Sequence, residues 1–257
     1  TVTQVGPGVT TLSVGDQVAW ATNPGSYAGQ VAMRADNAVK VPDEIDLEVA
    51  AALPLQGMTA HFLATSTYPL GPGDRCLVHA GAGGVGLLLI QIAKLRGAEV
   101  FTTVGTPEKA ELAKTAGADY TILYRDVDFA ESVVELAGER PLDVVFDGVG
   151  KSVFAQSLTL LRPRGMMVTF GNASGPVDPV SPLELSANGS LFLTRPTLFH
   201  YLRTHSEMQA RADELFDWVG SGDLDVRIGA RYALRDAAEA HKALEGRATA
   251  GKVLLIP

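Results

Sequence analysis

The chain has 257 residues, 46% of them apolar, and a formal charge of −8. That length suits one large domain or two smaller ones, and the acidic balance argues against non-specific nucleic-acid binding, which needs a basic face. No apolar run reaches the roughly 18 residues needed to cross a bilayer and no basic start leads into an apolar signal core, so a cytoplasmic protein without a membrane partner is expected. Cys76 is the only cysteine, which leaves no intrachain disulfide and no cysteine-cluster zinc site.

The chain opens on TVTQVGPGVTTLSVGDQVAWA, where alternating apolar positions are cut by Gly, Pro and Asp turns from the first residues. Short strands are expected around Val2–Val5, Asp16–Ala21, Gly29–Arg34 and Ala38–Val41, as in the interior of a β-rich domain. The first helical pattern is the Ala-rich DLEVAAALPLQGMTAHFLAT.

From residue 75 the pattern alternates. Strands are expected over Cys76–Ala80, Val100–Val104, Tyr120–Leu123, Val144–Asp147, Met166–Phe170 and Leu191–Thr194. Helices are expected between them, over Gly84–Arg96, Pro107–Thr115, Phe129–Ala137, Val153–Leu161 and Leu183–Ala187. Thr106 and Pro107 form a capped helix start. The alternation implies the α/β class, a doubly wound parallel sheet covered on both faces. The tail holds two more helices, HSEMQARADELFDWVG and RDAAEAHKALEG, and the strand KVLLIP. The expected division is 1–55 for a β-rich domain, 56–200 for the Rossmann unit, and 201–257 for a connecting helix and a return to the first domain.

Gly81-Ala82-Gly83-Gly84-Val85-Gly86 fits G-x-G-x-x-G. The match alone is weak, but here a strand precedes it, a helix follows, and a second strand comes next, which is the βαβ setting a dinucleotide site requires. Gly81 permits the tight turn, Gly83 lets a pyrophosphate approach the backbone, and Gly86 lets helix and strand pack closely. In NAD sites an acidic residue about 20 positions on takes the ribose hydroxyls. Here that place holds Val104-Gly105-Thr106, with no carboxylate before Glu108. A 2′-phosphate would meet the Thr106 hydroxyl and Lys109, with Tyr124 and Arg125 closing the third strand, so NADPH is the expected cofactor. Arg125 reads first as an ordinary solvated charge.

The segments LPLQGMTAHFL, HAGAGGVGLLLIQIAK, DGVG, LRPRGMMVTFGNASG, LFLTRP and EGRATAGKVLLIP together resemble the NADPH:quinone oxidoreductases, a zinc-free branch of the medium-chain dehydrogenase/reductase superfamily related to zeta-crystallin. The resemblance runs through the whole chain. It implies a Rossmann domain beside a partial GroES-like barrel split between the two ends of the sequence. About the first 60 residues of the family's catalytic domain would be lacking, a share in keeping with typical domain sizes. It also implies a cofactor site: Gly81 to Gly86 on the pyrophosphate, and Gly105, Thr106, Lys109 and Tyr124 around the 2′-phosphate. Thr59 would lie under the nicotinamide, Phe170, Gly171 and Asn172 beside it, Val149 near the ribose, and Arg195 and Arg247 near the cofactor. Zinc-dependent relatives place a cysteine ligand where this chain has Leu55, so no metal is expected.

The expected reaction is hydride transfer from NADPH to a small quinone, without zinc and with no catalytic side chain named. The acceptor is expected between the split β domain and the nucleotide domain. An enone or alkenal double-bond reductase and a low-turnover NADPH-binding sensor or structural protein stay open as alternatives. His61 is the one histidine expected near the site, as a possible proton donor. His79, in the strand entering the glycine turn, is expected to pack or to bond to backbone. The apolar Leu191–Thr194 strand is expected at the sheet edge, pairing antiparallel with a second copy in a homodimer.

Overall fold

The computed structural model describes residues 1–21, 23–246 and 249–257. They form two compact units, one of Thr1–Thr59 with Leu198–Pro257, the other of Ala60–Thr197.

In the first unit β1 (Val18–Ala19) pairs antiparallel with β2 (Val39–Lys40). The other strands suggested for residues 2–34 have no ladder partner among the described residues. Val2 and its neighbours do exchange backbone bonds across the turn: Val2 N donates to Asp16 O and Gly15 N to Val2 O, both at 2.9 Å. Alternating apolar residues make a segment fit for a sheet, but a strand exists only where a partner's N–H and C=O groups face it. Helix α1 (Leu47–Phe62) then begins behind Asp46, whose Oδ1 accepts from Glu48 N at 2.9 Å and Val49 N at 3.2 Å. Its last turn widens over Leu63–Thr67, where Tyr68 N reaches back five residues to Leu63 O.

The second unit follows in strict alternation: β3 (Arg75–His79), α2 (Gly84–Leu95), β4 (Glu99–Val104), α3 (Pro107–Thr115), β5 (Tyr120–Leu123), α4 (Phe129–Ala137), β6 (Leu142–Asp147), α5 (Phe154–Leu160), β7 (Leu161–Thr169), α6 (Pro182–Ala187) and β8 (Phe192–Thr194). All six strands are parallel, in the order β5-β4-β3-β6-β7-β8. The order reverses direction between β3 and β6, and the carboxyl ends of those two strands border the crevice where such sheets hold ligands. Leu77, Phe101, Val145 and Met167 are neighbours in register, and with Phe129, Val133, Phe154 and Leu158 they make one continuous buried core. Each such side chain contributes roughly 1.5–3 kcal/mol on burial. Strand β7 begins at Leu161, directly on the end of α5, rather than at Met166, because Leu161 already pairs with Leu142 of β6.

The chain returns to the first unit with α7 (His205–Ser221), β9 (Ile228–Ala233), α8 (Ala237–Glu245) and β10 (Lys252–Ile256), β9 and β10 being parallel neighbours. Strand β9, IGARYA, was not signalled by the sequence, since its Gly, Ala and Arg interrupt the apolar alternation. Among the described residues no helix is long and apolar enough to cross a membrane.

Candidate functional site

The turn from β3 into α2 is shaped by the lack of side chains. A Cβ on Gly81 would stand 1.9 Å from Thr102 Oγ1, and one on Gly86 would stand 2.5 Å from Ala80 O and 2.8 Å from Gly81 Cα. Ala80 itself has φ of +57°, a left-handed conformation that favours glycine. Gly81, Ala82 and Gly86 are buried, whereas Gly83, Gly84 and Val85 remain partly open to solvent. Helix α2 begins behind Gly83 with no capping side chain and no acidic residue in its first turn. Its first N–H groups and its positive dipole end are therefore free to meet an anion.

His79 stands directly below this turn and is buried. Its Nδ1 lies 2.9 Å from Thr103 Oγ1 on β4 and its Nε2 2.9 Å from Ser157 Oγ on α5, with the ring set edge-on to Phe129. Ser157 donates its own hydrogen to Val153 O at 2.8 Å, so Nε2 must donate to Ser157 and Nδ1 must accept from Thr103. Burial pushes the imidazole down to about 3, so it stays neutral. The expectation of packing holds, since His79 is buried edge-on to Phe129, but its ring nitrogens bond to two side-chain hydroxyls rather than to backbone, and so staple β3, β4 and α5 together under the glycine turn.

At the end of β4, a Cβ on Gly105 would meet Tyr124 Oη at 2.9 Å and Arg125 Nε at 3.3 Å. The two side chains that close β5 therefore lie over Gly105, Arg125 being exposed there in keeping with a solvated charge. Thr106 caps α3, its Oγ1 accepting from Lys109 N at 3.3 Å. Its hydroxyl bond to Glu108 also holds that carboxyl below the usual range. Lys109 is half-buried beside it.

After β6 the chain makes a second turn, Asp147-Gly148-Val149-Gly150. Asp147 is fully buried, and its Oδ1 accepts from Val149 N at 2.7 Å and Gly150 N at 2.8 Å. Burial raises its carboxyl above the usual range, opposed by those two amides, by Thr169 and by the charge of Arg195. Phe170 and Gly171, after β7, both donate their N–H to Asp147 O, at 2.8 and 3.3 Å. Arg195 Nη1 donates to Gly171 O at 3.0 Å and to Thr169 Oγ1 at 3.2 Å. Asn172 is exposed at the tip of this segment. Asp147 was not singled out by sequence reasoning; the signal available was a carboxylate ending an apolar strand and followed by Gly, the pattern of a side-chain-stabilised turn.

The second unit thus gathers Gly81–Gly86, Gly105–Lys109, Tyr124, Val149, Phe170–Asn172 and Arg195 at the carboxyl ends of its strands. Thr59 is the last residue of the first unit, half-buried, with its hydroxyl donating to Leu55 O at 2.6 Å. Arg247 lies outside the described residues. His61 is buried, its Nδ1 3.3 Å from Thr65 Oγ1.

Residues 84–219 match the family model described as zinc-binding dehydrogenase. A quinone oxidoreductase of Pseudomonas aeruginosa is 46% identical over the whole chain, which spans 79% of that relative. The 2-haloacrylate reductase of a Burkholderia species is 44% identical, again over the whole chain and 78% of its own length. The chain belongs to the medium-chain dehydrogenase/reductase family, in its quinone oxidoreductase branch. Among solved structures of that branch, Escherichia coli quinone oxidoreductase complexed with NADPH superposes with a TM-score of 0.96 at 42% identity, covering 99% of this chain and 79% of that one. A mycobacterial protein complexed with NADPH gives 0.95 at 50% identity, covering 100% and 80%. This quinone oxidoreductase homologue is accordingly an oxidoreductase with a Rossmann-like α/β unit. The family model's description names zinc, but the donor set does not fit one: among the described residues no three His, Cys, Asp or Glu side chains gather, and Leu55 is an exposed hydrocarbon.

Proposed function

We propose that the chain is an NADPH-dependent quinone reductase that works without zinc. The observation that carries this is the glycine cradle opening onto the uncapped start of α2, beside a β4 end that presents Gly105 and Lys109 and no carboxylate. In this reading Gly81, Ala82, Gly83, Gly84, Val85 and Gly86 hold the pyrophosphate. Gly105, Thr106, Lys109 and Tyr124 surround the 2′-phosphate. Val149, Phe170, Gly171 and Asn172 offer backbone to the ribose and nicotinamide, with Thr59, Arg195 and Arg247 completing the set.

Bound there, NADPH supplies the hydride. The chain's own residues bind and orient: α2's amide N–H groups meet phosphate charge, His79 fixes the turn from below, and Arg195 holds the Gly171 carbonyl in place. Relatives named quinone oxidoreductase at 43–46% identity support the acceptor class. The 44% identity to a 2-haloacrylate reductase supports a second reading, reduction of an activated carbon–carbon double bond at the same site. NADPH consumption with 1,4-benzoquinone, compared with a 2-haloacrylate and repeated with NADH, decides between them. Turnover of the quinone with NADPH only is expected. Faster turnover of the haloacrylate would move the enzyme to the second reading, and equal use of NADH would discard the Gly105–Lys109 argument.

The first unit is read as part of the GroES-like catalytic domain and the second as the nucleotide domain, and a cytoplasmic location is retained. A homodimer through Leu191–Thr194 is supported by the position of β8 at the sheet edge and by Phe192, a large apolar side chain 57% exposed there. Sedimentation at micromolar concentration should give a dimer, and Phe192→Asp should give a monomer; a monomeric parent chain would sink the idea.

A further inference from the structure

We propose that Asp147 is a positioning residue for the nicotinamide half of the cofactor, acting as the common acceptor that locks two backbone segments into one clasp. The proposal rests on the reading of the second unit as an NADPH site and adds a residue to which no role there has been given.

The clasp is built backbone on backbone. Asp147 holds its own turn through Oδ1, which takes the N–H groups of Val149 and Gly150, and holds the segment after β7 through its main-chain oxygen, which takes those of Phe170 and Gly171. The two segments then bond to each other: Ala173 N to Gly148 O at 3.3 Å, Ser174 N to Val149 O at 2.8 Å, and Lys151 N to Gly175 O at 3.1 Å. Ser174 Oγ adds a bond to Val149 O at 2.8 Å and accepts from Ser152 N at 3.0 Å. There is no room for side chains between them. A Cβ on Gly171 would stand 2.3 Å from Gly148 O, and one on Gly150 would stand 2.5 Å from Gly175 O.

The clasp sits at the carboxyl ends of β6 and β7. Strand β6 pairs with β3, so the clasp is beside the glycine turn at the point where strand order reverses. Asp147 is sealed inside it. Its Oδ2 has no exposed surface, so no ligand touches the carboxyl. What the residue contributes to a ligand is therefore indirect. It fixes where the Val149 and Gly171 backbones stand. A buried carboxylate is costly for the fold, and a single-oxygen acceptor that takes two adjacent N–H groups is the task that needs an Asp or Asn side chain.

The adenosine corner at Gly105–Tyr124 lies at the ends of β4 and β5, two and three strands away from β6, and provides the control. Binding of NADPH and of 2′,5′-ADP, which carries only the adenosine half, is measured by calorimetry on the chain and on Asp147→Ala and Asp147→Asn. Asp147→Ala is expected to weaken NADPH about tenfold while leaving 2′,5′-ADP within about twofold, and Asp147→Asn, which keeps the acceptor oxygen, is expected to restore NADPH binding. If the alanine variant does not fold, Asp147→Ser replaces it, since its hydroxyl still reaches one amide and should give an intermediate loss.

Three results in the variants overturn the proposal. The first is unchanged NADPH binding in Asp147→Ala. The second is equal weakening of both ligands, which makes the residue merely structural. The third is an asparagine variant as weak as alanine, which makes charge rather than acceptor geometry the cause. A parent chain that binds 2′,5′-ADP but gains nothing from the rest of NADPH overturns both this proposal and the cofactor reading beneath it.

Discussion

The two turns that flank the switch point of the sheet are built by opposite means. The turn after β3 is shaped by what is missing: Gly81 lies against Thr102 and Gly86 against Ala80, each where a methyl group has no space. The turn after β6 is shaped by what is present, a buried carboxylate gathering N–H groups from its own turn while its carbonyl gathers those of the next. A steric design fails abruptly when atoms are added. A hydrogen-bonded design fails by degrees and is graded by the acceptor that replaces it. The difference teaches that one crevice can draw on both kinds of tolerance.

The largest effect should come from breaking the steric turn. Gly81→Ala puts a methyl 1.9 Å from Thr102 Oγ1, and overpacking of this kind costs about 3 kcal/mol in stability. Chemical denaturation should show that loss, together with loss of NADPH binding. Adding Thr102→Ala should recover part of both, because it removes the oxygen that is struck.

Next comes the staple under that turn. His79→Phe leaves the Thr103 hydroxyl and the Ser157 acceptor without their partner, at a cost of roughly 1–3 kcal/mol. The pH dependence sharpens the test. The folded imidazole titrates near 3 against 6.5 for an exposed one, so between those values the unfolded chain binds a proton that the folded chain refuses. Stability should therefore fall as pH is lowered through that window. In melting curves from pH 7 to pH 4, His79→Phe should show a flatter fall than the parent chain.

Asp147 has the opposite sign. Its folded carboxyl is raised above the usual range by burial, so the folded chain holds the proton more tightly and stability falls as pH rises from the ordinary carboxylate value. Asp147→Asn should raise the melting temperature at pH 7 and lose that advantage towards pH 4, by less than the His79 effect. An equal gain at both pH values would show that burial of the charge is not the cause.

The smallest effect is expected at the Gly105 corner. In Gly105→Ala the new methyl meets only the tips of Tyr124 and Arg125, which can swing aside, so stability should change by under about 0.5 kcal/mol. The preference for NADPH over NADH should still narrow, measured as a ratio of kcat/KM values, because the displaced side chains lie over the corner proposed to take the 2′-phosphate.

This contrast also sets what could be read from the sequence. Steric turns are legible because glycine is itself the signal, and the spacing of Gly81, Gly83 and Gly86 after an apolar strand located the tight turn between β3 and α2. The helix start at Thr106 and the six parallel strands were legible for the same reason, since caps and apolar runs are local. Asp147 and His79 were not. An Asp after Val144-Val145-Phe146 looks the same whether it ends in water or in a sealed clasp, and the partners of His79 lie 24 and 78 residues away. The strands of the first 41 residues were over-read because alternation reports a suitable face and not a partner.

Cys76 lies at 0% exposure near the start of β3, and burial pushes its thiol far from ionisation. Quinones and haloacrylates are electrophiles that arylate or alkylate thiolates. The one thiol of these 257 residues is enclosed by its own sheet and held as the un-ionised form, so it is not presented as a thiolate to the class of molecule the chain is proposed to reduce.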